Sequence, residues 1–338
     1  MRDPLNSNVR RDEYAQAQVC LRESLARRTP HLDRMVQDAW RVLNGAGDGG
    51  PSGLTIDRYG SYLVVSAREQ LPPELVSIWS KAAAEALEPT GIVLKTLRVP
   101  VSAGTSELVF GSPPPTPLSV REEDAVILCD LLAEGLSTGL FLDQHDLRRR
   151  ARALASGVEV LNLFAHTCAF SVHAALGGAT RVTSIDSSKK ALRRGRENME
   201  ASGLDPNLHR WFPDDVHTHL ERAVRRGDRY GLVILDPPVL GRARNKTRTL
   251  ADELDRLIAQ GLAVTADGGR LLLSVHALEV SIRALRTVVA NEARALGRRA
   301  VVEEELGLPA WDHPTKAEGG PAEGDRGDYL KTLIIRVG

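Results

Sequence analysis

The sequence predicts an α/β protein built on a doubly wound, mostly parallel sheet, with a smaller α+β domain ahead of it. Three observations lead there. Between residues 158 and 296 apolar strand-like runs alternate strictly with amphipathic helical runs, the order required by a parallel sheet covered by helices on both faces. The stretch VLNLFAHTCAFSVHAALGGATRVTSID, residues 160–186, passes from a strand through a tight turn into a helix and then into a second strand. That strand ends in a carboxylate about twenty residues after the turn, the layout of a nucleotide-binding βαβ unit. Finally, acidic residues fall just after several strands, at the carboxyl ends where such sheets bind ligands.

A chain of 338 residues suits one large domain and one or two small ones. In residues 10–44 the apolar positions Leu21, Leu25, Leu32, Met35, Val36, Ala39, Trp40 and Leu43 fall at mostly helical spacing, broken at Thr29-Pro30. Two short helices are expected, making residues 1–44 a helical segment. Residues 45–50, GAGDGG, spell GxGxxG, yet GLTIDRYGSYLVVSA follows, two β-type runs around Arg58-Tyr59-Gly60 with no helix. A glycine turn entering a hairpin is therefore expected, not a dinucleotide loop. An amphipathic helix over 73–87 and strands over 91–97 and 107–110 complete a small α+β domain, residues 45–118. Its last stretch, GSPPPTP, carries four prolines in seven residues and reads as a stiff linker.

The large domain is expected over 119–338. It opens with the strand AVILCDLL and a turn leading to a basic helix. Strands follow over 158–164, 181–186, 209–212, 231–235 and 270–275, separated by helices. The closing runs 300–305 and 329–337 fit an antiparallel pair at one edge.

Composition narrows the class of function. Forty-four basic residues balance forty-four acidic ones, which excludes a strongly basic nucleic-acid coat and leaves any RNA contact to local charge placement. No apolar run approaches the ~18 residues that span a bilayer, and the charged start MRDPLNSNVRRDEYAQ holds no signal-peptide core, so a cytoplasmic protein is expected. Cys20, Cys129 and Cys168 lie far apart, which offers neither a CxxC metal pair nor a disulfide framework. No metal is expected, and a reducing compartment fits.

The candidate chemistry sits at the strand ends. Asp186 can accept from both hydroxyls of a ribose, or it can cap the helix opened by Ser187-Ser188. Asp214-Asp215 follow the third strand, where a carboxylate can accept from an adenine amine. Asp236-Pro237-Pro238 follow the fourth, in VILDPP. Two prolines lack N–H donors and stiffen the loop, leaving fixed carbonyl oxygens to hold the amine edge of a planar base beside Asp236. The next residues, VLGRARNKTRTL, carry Arg242, Arg244, Lys246 and Arg248 with no acid, suited to phosphate contact or to simple solvation. His217 and His219, two apart on a helix, read as surface residues. His166, in the first turn, is equally suited to a functional or a packing role.

Four stretches in order, VLNGAGDGGPSGLTIDRYG, GLSTGLFLDQHDLRRR, VLNLFAHTCAFSVHAALGGATRVTSIDSSKKAL and GLVILDPP, together with Asp312-His313-Pro314 before GDYLKTLIIRV, resemble a known family. It is the class I S-adenosylmethionine-dependent methyltransferases, within them the RlmI-like ribosomal RNA cytosine-5 methyltransferases. The resemblance implies a Rossmann-like methyltransferase domain, S-adenosyl-L-methionine as cofactor, RNA, most naturally ribosomal RNA, as substrate, and the small domain on the RNA side. It also implies that Phe141, Asp143, Gln144 and Arg148 lie along the cofactor pocket. Asn162, Phe164 and Thr167 would lie under the methionine part, Asp186 at the ribose, Asp215 near adenine and Asp236 at the methyl-transfer centre. A homodimer is compatible with all of this.

Three departures accompany the resemblance. The family typically begins with a small RNA-binding PUA domain, for which this sequence leaves no room. Methylation at cytosine C5 uses an enzyme thiolate that adds to C6, expected in a Ser-Cys-Ser-like sequence after the fifth strand; here Ser274-Val275-His276 stands there. Cys168 occupies a turn position usually held by glycine, the residue that freely adopts positive φ. As a nucleophile it would gain from the helix N-terminus, but its place under the cofactor favours a small buried residue. Two alternatives to an RNA methyltransferase stay open: a catalytically degenerate cofactor- or RNA-binding homologue, and a methyltransferase for a small molecule.

Overall fold

The computed structural model describes residues 4–98, 104–135, 137–238, 250–315 and 329–338. They fall into two compact units, one taking the chain up to Asp143 and again from Pro309, the other running Gln144–Leu308 with the C-terminal strand. The large unit thus begins 25 residues later than the expected start at 119.

In the first unit α1 (Pro4–Leu32) is one continuous helix, because Pro30 falls in its last turn and ends it instead of splitting it. Residues expected to form a second helix instead give the strand β1 (Ala39–Asn44). Six residues are too few for periodicity to separate the two states, and cross-strand pairing decides. β2 (Leu54–Tyr59), β3 (Tyr62–Arg68), α2 (Pro73–Leu87), β4 (Gly91–Leu97) and β5 (Thr105–Gly111) follow, giving a five-stranded sheet in sequence order. Only β3 and β4, joined by α2, run parallel. β6 (Leu118–Glu122) and β7 (Ala125–Cys129) form a separate hairpin.

The glycine string is a structural turn. Gly45–Asp48 forms one 3-10 turn ahead of β2, and a Cβ on Gly47 would lie 1.9 Å from the Pro314 carbonyl oxygen. Asp48 at its end receives the fully buried guanidinium of Arg28, Nη2 to Oδ2 at 2.7 Å and Nη1 to Oδ1 at 3.0 Å. Arg28 also donates to the carbonyls of Arg41 and Asp312. Asp312 accepts from the Arg41 N–H and from Nδ1 of His313. The Asp-His-Pro motif near the C-terminus therefore belongs to the first unit and braces α1 against its sheet.

The second unit carries α3 (His145–Leu154), β8 (Glu159–Leu163), α4 (Ala169–Leu176), β9 (Arg181–Asp186), α5 (Lys189–Ala201) and β10 (Arg210–Pro213). Then come α6 (Val216–Arg226), β11 (Tyr230–Leu235), α7 (Leu250–Val264), β12 (Thr265–His276), α8 (Ile282–Ala295), β13 (Ala300–Leu306) and β14 (Leu330–Val337). Strand order is β10-β9-β8-β11-β12-β14-β13, parallel except for β14, which runs antiparallel between β12 and β13. The expected closing pair is thus present. One face of the sheet packs on α6, α7 and α8 through residues such as Val233, Leu257 and Leu285, the other on α3 and α4 through Leu147, Ala174 and Leu272. The winding reverses between β8 and β11, the place where open α/β sheets bind ligands.

His219 is not the surface residue expected. The buried positions of α6 are Val216, His219, Leu220 and Ala223, a helical stripe that carries residue 219 inward, and its ring tilts against Phe212 at 5.4 Å. His217 meets Glu253 at 3.1 Å. Among the described residues no helix is long and apolar enough to cross a membrane.

Breaking the Arg28–Asp48 pair leaves a charge buried without its partner. Asp48→Asn is expected to destabilise the protein by about 3–5 kcal/mol in urea unfolding, with Arg27, more exposed, giving a far smaller loss when truncated.

Candidate functional site

The turn after β8 adopts a conformation that side chains resist. Phe164, His166 and Cys168 have φ of 57°, 48° and 62°, all left-handed and none of them glycine. Each costs on the order of 1–2 kcal/mol, so the surroundings must over-determine the turn. Hydrogen bonds from several elements do so. Ala165 N–H donates to the Ile185 carbonyl at 2.9 Å and Cys168 N–H to the Ala165 carbonyl at 2.7 Å. Asp186 Oδ2 accepts from His166 N–H at 2.8 Å, and Asn198 of α5 donates to the Thr167 carbonyl at 2.8 Å.

Cys168 is fully buried, packed with Ala165, Leu192 and Trp211. Its sulfur fills the place where α5 carries Gly195: a Cβ there would stand 2.5 Å from the Cys168 sulfur. The side chain therefore points into the core and does not fill the cradle at the strand ends. Burial pushes its thiol up to about 12, which makes it an inert packing group. Asn162, also buried, donates to Ser171 at 2.8 Å, and Ser171 meets Ser184 at 2.8 Å, so this amide ties β8, α4 and β9 together beneath the turn.

Asp186 ends β9 half-buried. Besides the turn, its Oδ1 accepts from Ser188 N–H at 2.8 Å. Each carboxylate oxygen has a second lone pair, so a carboxylate fixed in this way can still accept from ribose hydroxyls. The helix α5 is capped by Ser188, which accepts from Ala191 N–H. Asp215 caps α6 through Oδ1, accepting from the Thr218 N–H and hydroxyl, and these bonds hold its carboxyl below the usual range against the opposing effect of burial. Asp214 pairs with Arg222 at 2.9 Å.

The ends of β11 and β12 bring together three polar groups. Gln144, buried just before α3, donates from Nε2 to Asp236 Oδ2 at 2.9 Å and stands 2.8 Å from His276 Nε2. His276 Nε2 lies 3.1 Å from Asp236 Oδ1. Pro237 is buried and Pro238 exposed. Val275, at the position of the expected thiol, is buried with Leu271 and Leu273 on the α7/α8 face of β12. His276 falls on the opposite side by strand alternation. Sequence reasoning did not select His276, although Leu273-Ser274-Val275-His276 alternates apolar and polar and so sets residue 276 opposite Val275; that this face meets Asp236 is decided by a strand distant in sequence.

Of the other expected site residues, Arg148 is buried on α3, and Phe141, 40% exposed, and Asp143 belong to the first unit. Arg242, Arg244, Lys246 and Arg248 lie outside the described residues.

A switch-point turn, a carboxylate ending the next strand and Asp-Pro-Pro ending the fourth define a nucleotide-cofactor enzyme of the doubly wound class. The chain matches the family described as S-adenosylmethionine-dependent methyltransferase over residues 68–317, and it belongs to that family. Its relatives include the ribosomal RNA large subunit methyltransferase I of Aeromonas hydrophila, 30% identical over 97% of this chain and 80% of the relative. The protein of the same name from Escherichia coli is 29% identical over 89% of this chain and 75% of the relative. Among solved structures, SMU.776 complexed with SAH superposes with a TM-score of 0.84 at 26% identity, covering 95% of this chain and 81% of that one.

S-Adenosylmethionine is therefore the cofactor, and the residues present fit it. Asp186 is fixed at the end of β9, and the Cys168 side chain is accommodated over Gly195. When bound, the cofactor supplies an activated methyl group on a sulfonium.

Gly195→Ala drives a Cβ into the Cys168 sulfur, and an expected loss of about 1–3 kcal/mol in thermal or urea unfolding should be largely recovered in Gly195→Ala/Cys168→Gly. A second expectation concerns pH. Burial holds His166, His209 and His219 below the ordinary histidine value, although Asp186 and Asp236 oppose it at His166. The unfolded chain then binds protons that the folded one does not, so stability is full above about pH 6.5 and falls as the solution is acidified through the depressed folded values. Urea midpoints at about pH 7.5, 6.5 and 5.5 check this, and His219→Phe should flatten the decline.

Proposed function

We propose that this methyltransferase acts on RNA, transferring the methyl group to a nucleotide of ribosomal RNA. The observation that carries the reading is that relatives named as ribosomal RNA large subunit methyltransferases align over nearly the whole chain, both units included, and not over a shared cofactor domain alone. In this reading Asp186 holds the ribose and the turn Phe164–Cys168 lies under the methionine part. Asp215, whose Oδ1 caps α6, presents Oδ2 toward the adenine amine. Asp236, Pro237 and Pro238 receive the target nucleotide. The cations of residues 242–248 supply phosphate contacts next to that loop in sequence, which makes substrate binding weaken as salt rises.

The test combines calorimetry with S-adenosylmethionine and transfer of a tritiated methyl group to ribosomal RNA. Incorporation is expected in the wild type. Asp186→Asn should weaken cofactor binding by roughly 10- to 100-fold, the loss of one or two charge-assisted hydrogen bonds. Good cofactor binding with no incorporation into any RNA would sink the reading and favour a small-molecule acceptor.

A further inference from the structure

We infer that a groove between α6 and the edge strand β10 is a second binding site, one that takes the phosphate group of a nucleotide. It lies apart from the cofactor side of the sheet, and it stands whether or not the methyl acceptor is RNA.

The groove has a volume of about 440 Å³, within the range of small-molecule sites. Three of its lining residues, Glu159, Arg210 and Tyr230, open β8, β10 and β11. The strained turn and Asp186 stand at the opposite, carboxyl ends of β8 and β9, roughly 15 Å away at about 3.3 Å per strand residue. The facing wall is α6, whose residues His219, Arg222 and Arg226 follow one another at intervals of three and four and so share a side of the helix. Arg210 and Phe212, on the outermost strand, are both exposed.

The charges of the groove favour an anion. Each lining carboxylate is answered by an arginine: Asp214 by Arg222 at 2.9 Å, Asp228 by Arg226 at 2.6 Å and Glu159 by Arg181 at 3.3 Å. Arg210 and Arg229 remain, and among the described residues neither meets a carboxylate; Arg229 donates to the Asp228 carbonyl at 2.9 Å. A guanidinium carries five N–H hydrogens in a fixed fork that matches phosphate oxygens two at a time. Asp214 takes one hydrogen of Arg222 and Asp228 takes two of Arg226, so even the paired arginines keep donors for a ligand. Burial raises the Tyr230 phenol, helped by Asp228 and Glu159 and opposed by Arg226 and Arg210, so both arginines act on this one hydroxyl. A phosphate at that end of the groove meets arginines from β10, α6 and the loop before β11. Phe212, 41% exposed, offers an aromatic face in the same groove, against which a base can stack. A nucleotide carries both parts, and a simple anion carries one.

His219 reports on occupancy. Burial holds its imidazole below the ordinary histidine value; Asp214 and Asp228 oppose this, and Arg226 and Arg222 add to it. Asp214 lies 3.7 Å from Nδ1, and the ring tilts against Phe212 at 5.4 Å. Nε2 has no hydrogen-bond partner, so the charge around the groove decides the protonation of the ring. A phosphate there adds negative charge and favours the imidazolium, which moves the titration of His219 to higher pH.

The experiment uses the full chain saturated with S-adenosylmethionine, which fills the cofactor side, and follows the His219 ring by NMR, assigned with His219→Phe. The probes are adenosine monophosphate, adenosine and a short single-stranded RNA, with affinities from calorimetry. Adenosine monophosphate should raise the pH at which His219 titrates, and adenosine, which lacks the phosphate, should leave it in place. Arg210→Ala/Arg229→Ala should weaken adenosine monophosphate binding by about tenfold or more, the loss of charge-assisted hydrogen bonds. S-Adenosylmethionine affinity and the urea midpoint should stay as in the wild type, because both side chains are exposed. Arg193→Ala removes an exposed arginine of α5, outside the groove, and should leave adenosine monophosphate binding unchanged. RNA that binds more tightly than adenosine monophosphate, with a salt dependence reduced by about one phosphate contact in the double variant, identifies the ligand as an RNA strand; RNA that binds no more tightly identifies a free nucleotide. Either result sustains the site. A His219 titration unmoved by adenosine monophosphate and RNA, adenosine binding as tightly as its monophosphate, or wild-type affinity for both phosphate-bearing probes in the double variant overturns the inference and leaves the RNA reading standing.

Discussion

The carboxylate of Asp186 clamps the strained turn after β8, at the point where the winding of the sheet reverses. It reaches back to His166 N–H and forward to Ser188 N–H, joining the loop after β8 to the start of α5. Three residues in left-handed conformation between Phe164 and Cys168 would relax into ordinary turn geometry without such ties. The hydrogen bonds from Ala165, Cys168 and Asn198, and the seating of the Cys168 side chain over Gly195, add to the constraint.

Where a family with cytosine-5 chemistry would carry a thiol, this chain has a core valine, and the next residue on the strand is a histidine in contact with Asp236. Gln144, from the segment ahead of α3, completes the arrangement by bonding the carboxylate.

Much of the fold is legible in the sequence. The alternation over 158–296, the antiparallel closing strands and the reading of the glycine string as a turn all follow from local pattern, because long periodic segments and breaker residues leave few alternatives. The misreadings share a cause. Residues 39–44 pair with β2, His219 joins the apolar stripe of α6, and the unit boundary falls after Asp143; each is settled by contacts distant in sequence. The Asp-His-Pro motif illustrates it further, since near the C-terminus it serves the N-terminal helix through Arg28.

By itself the sequence determined the class of the protein: strand-end carboxylates, Asp-Pro-Pro and the turn of residues 164–168 are local signals whose spacing reflects the period of a βαβ unit. It also determined that the thiol is missing at 275, a matter of identity alone. Only the tertiary structure decided which groups gather at that strand end. Gln144, Asp236 and His276 are separated by 92 and 40 residues along the chain and meet because the sheet's winding brings the ends of β11 and β12 beside the segment preceding α3. It likewise decided that a cysteine can stand in the strained turn after β8, because the space its side chain needs is provided by a glycine on another helix.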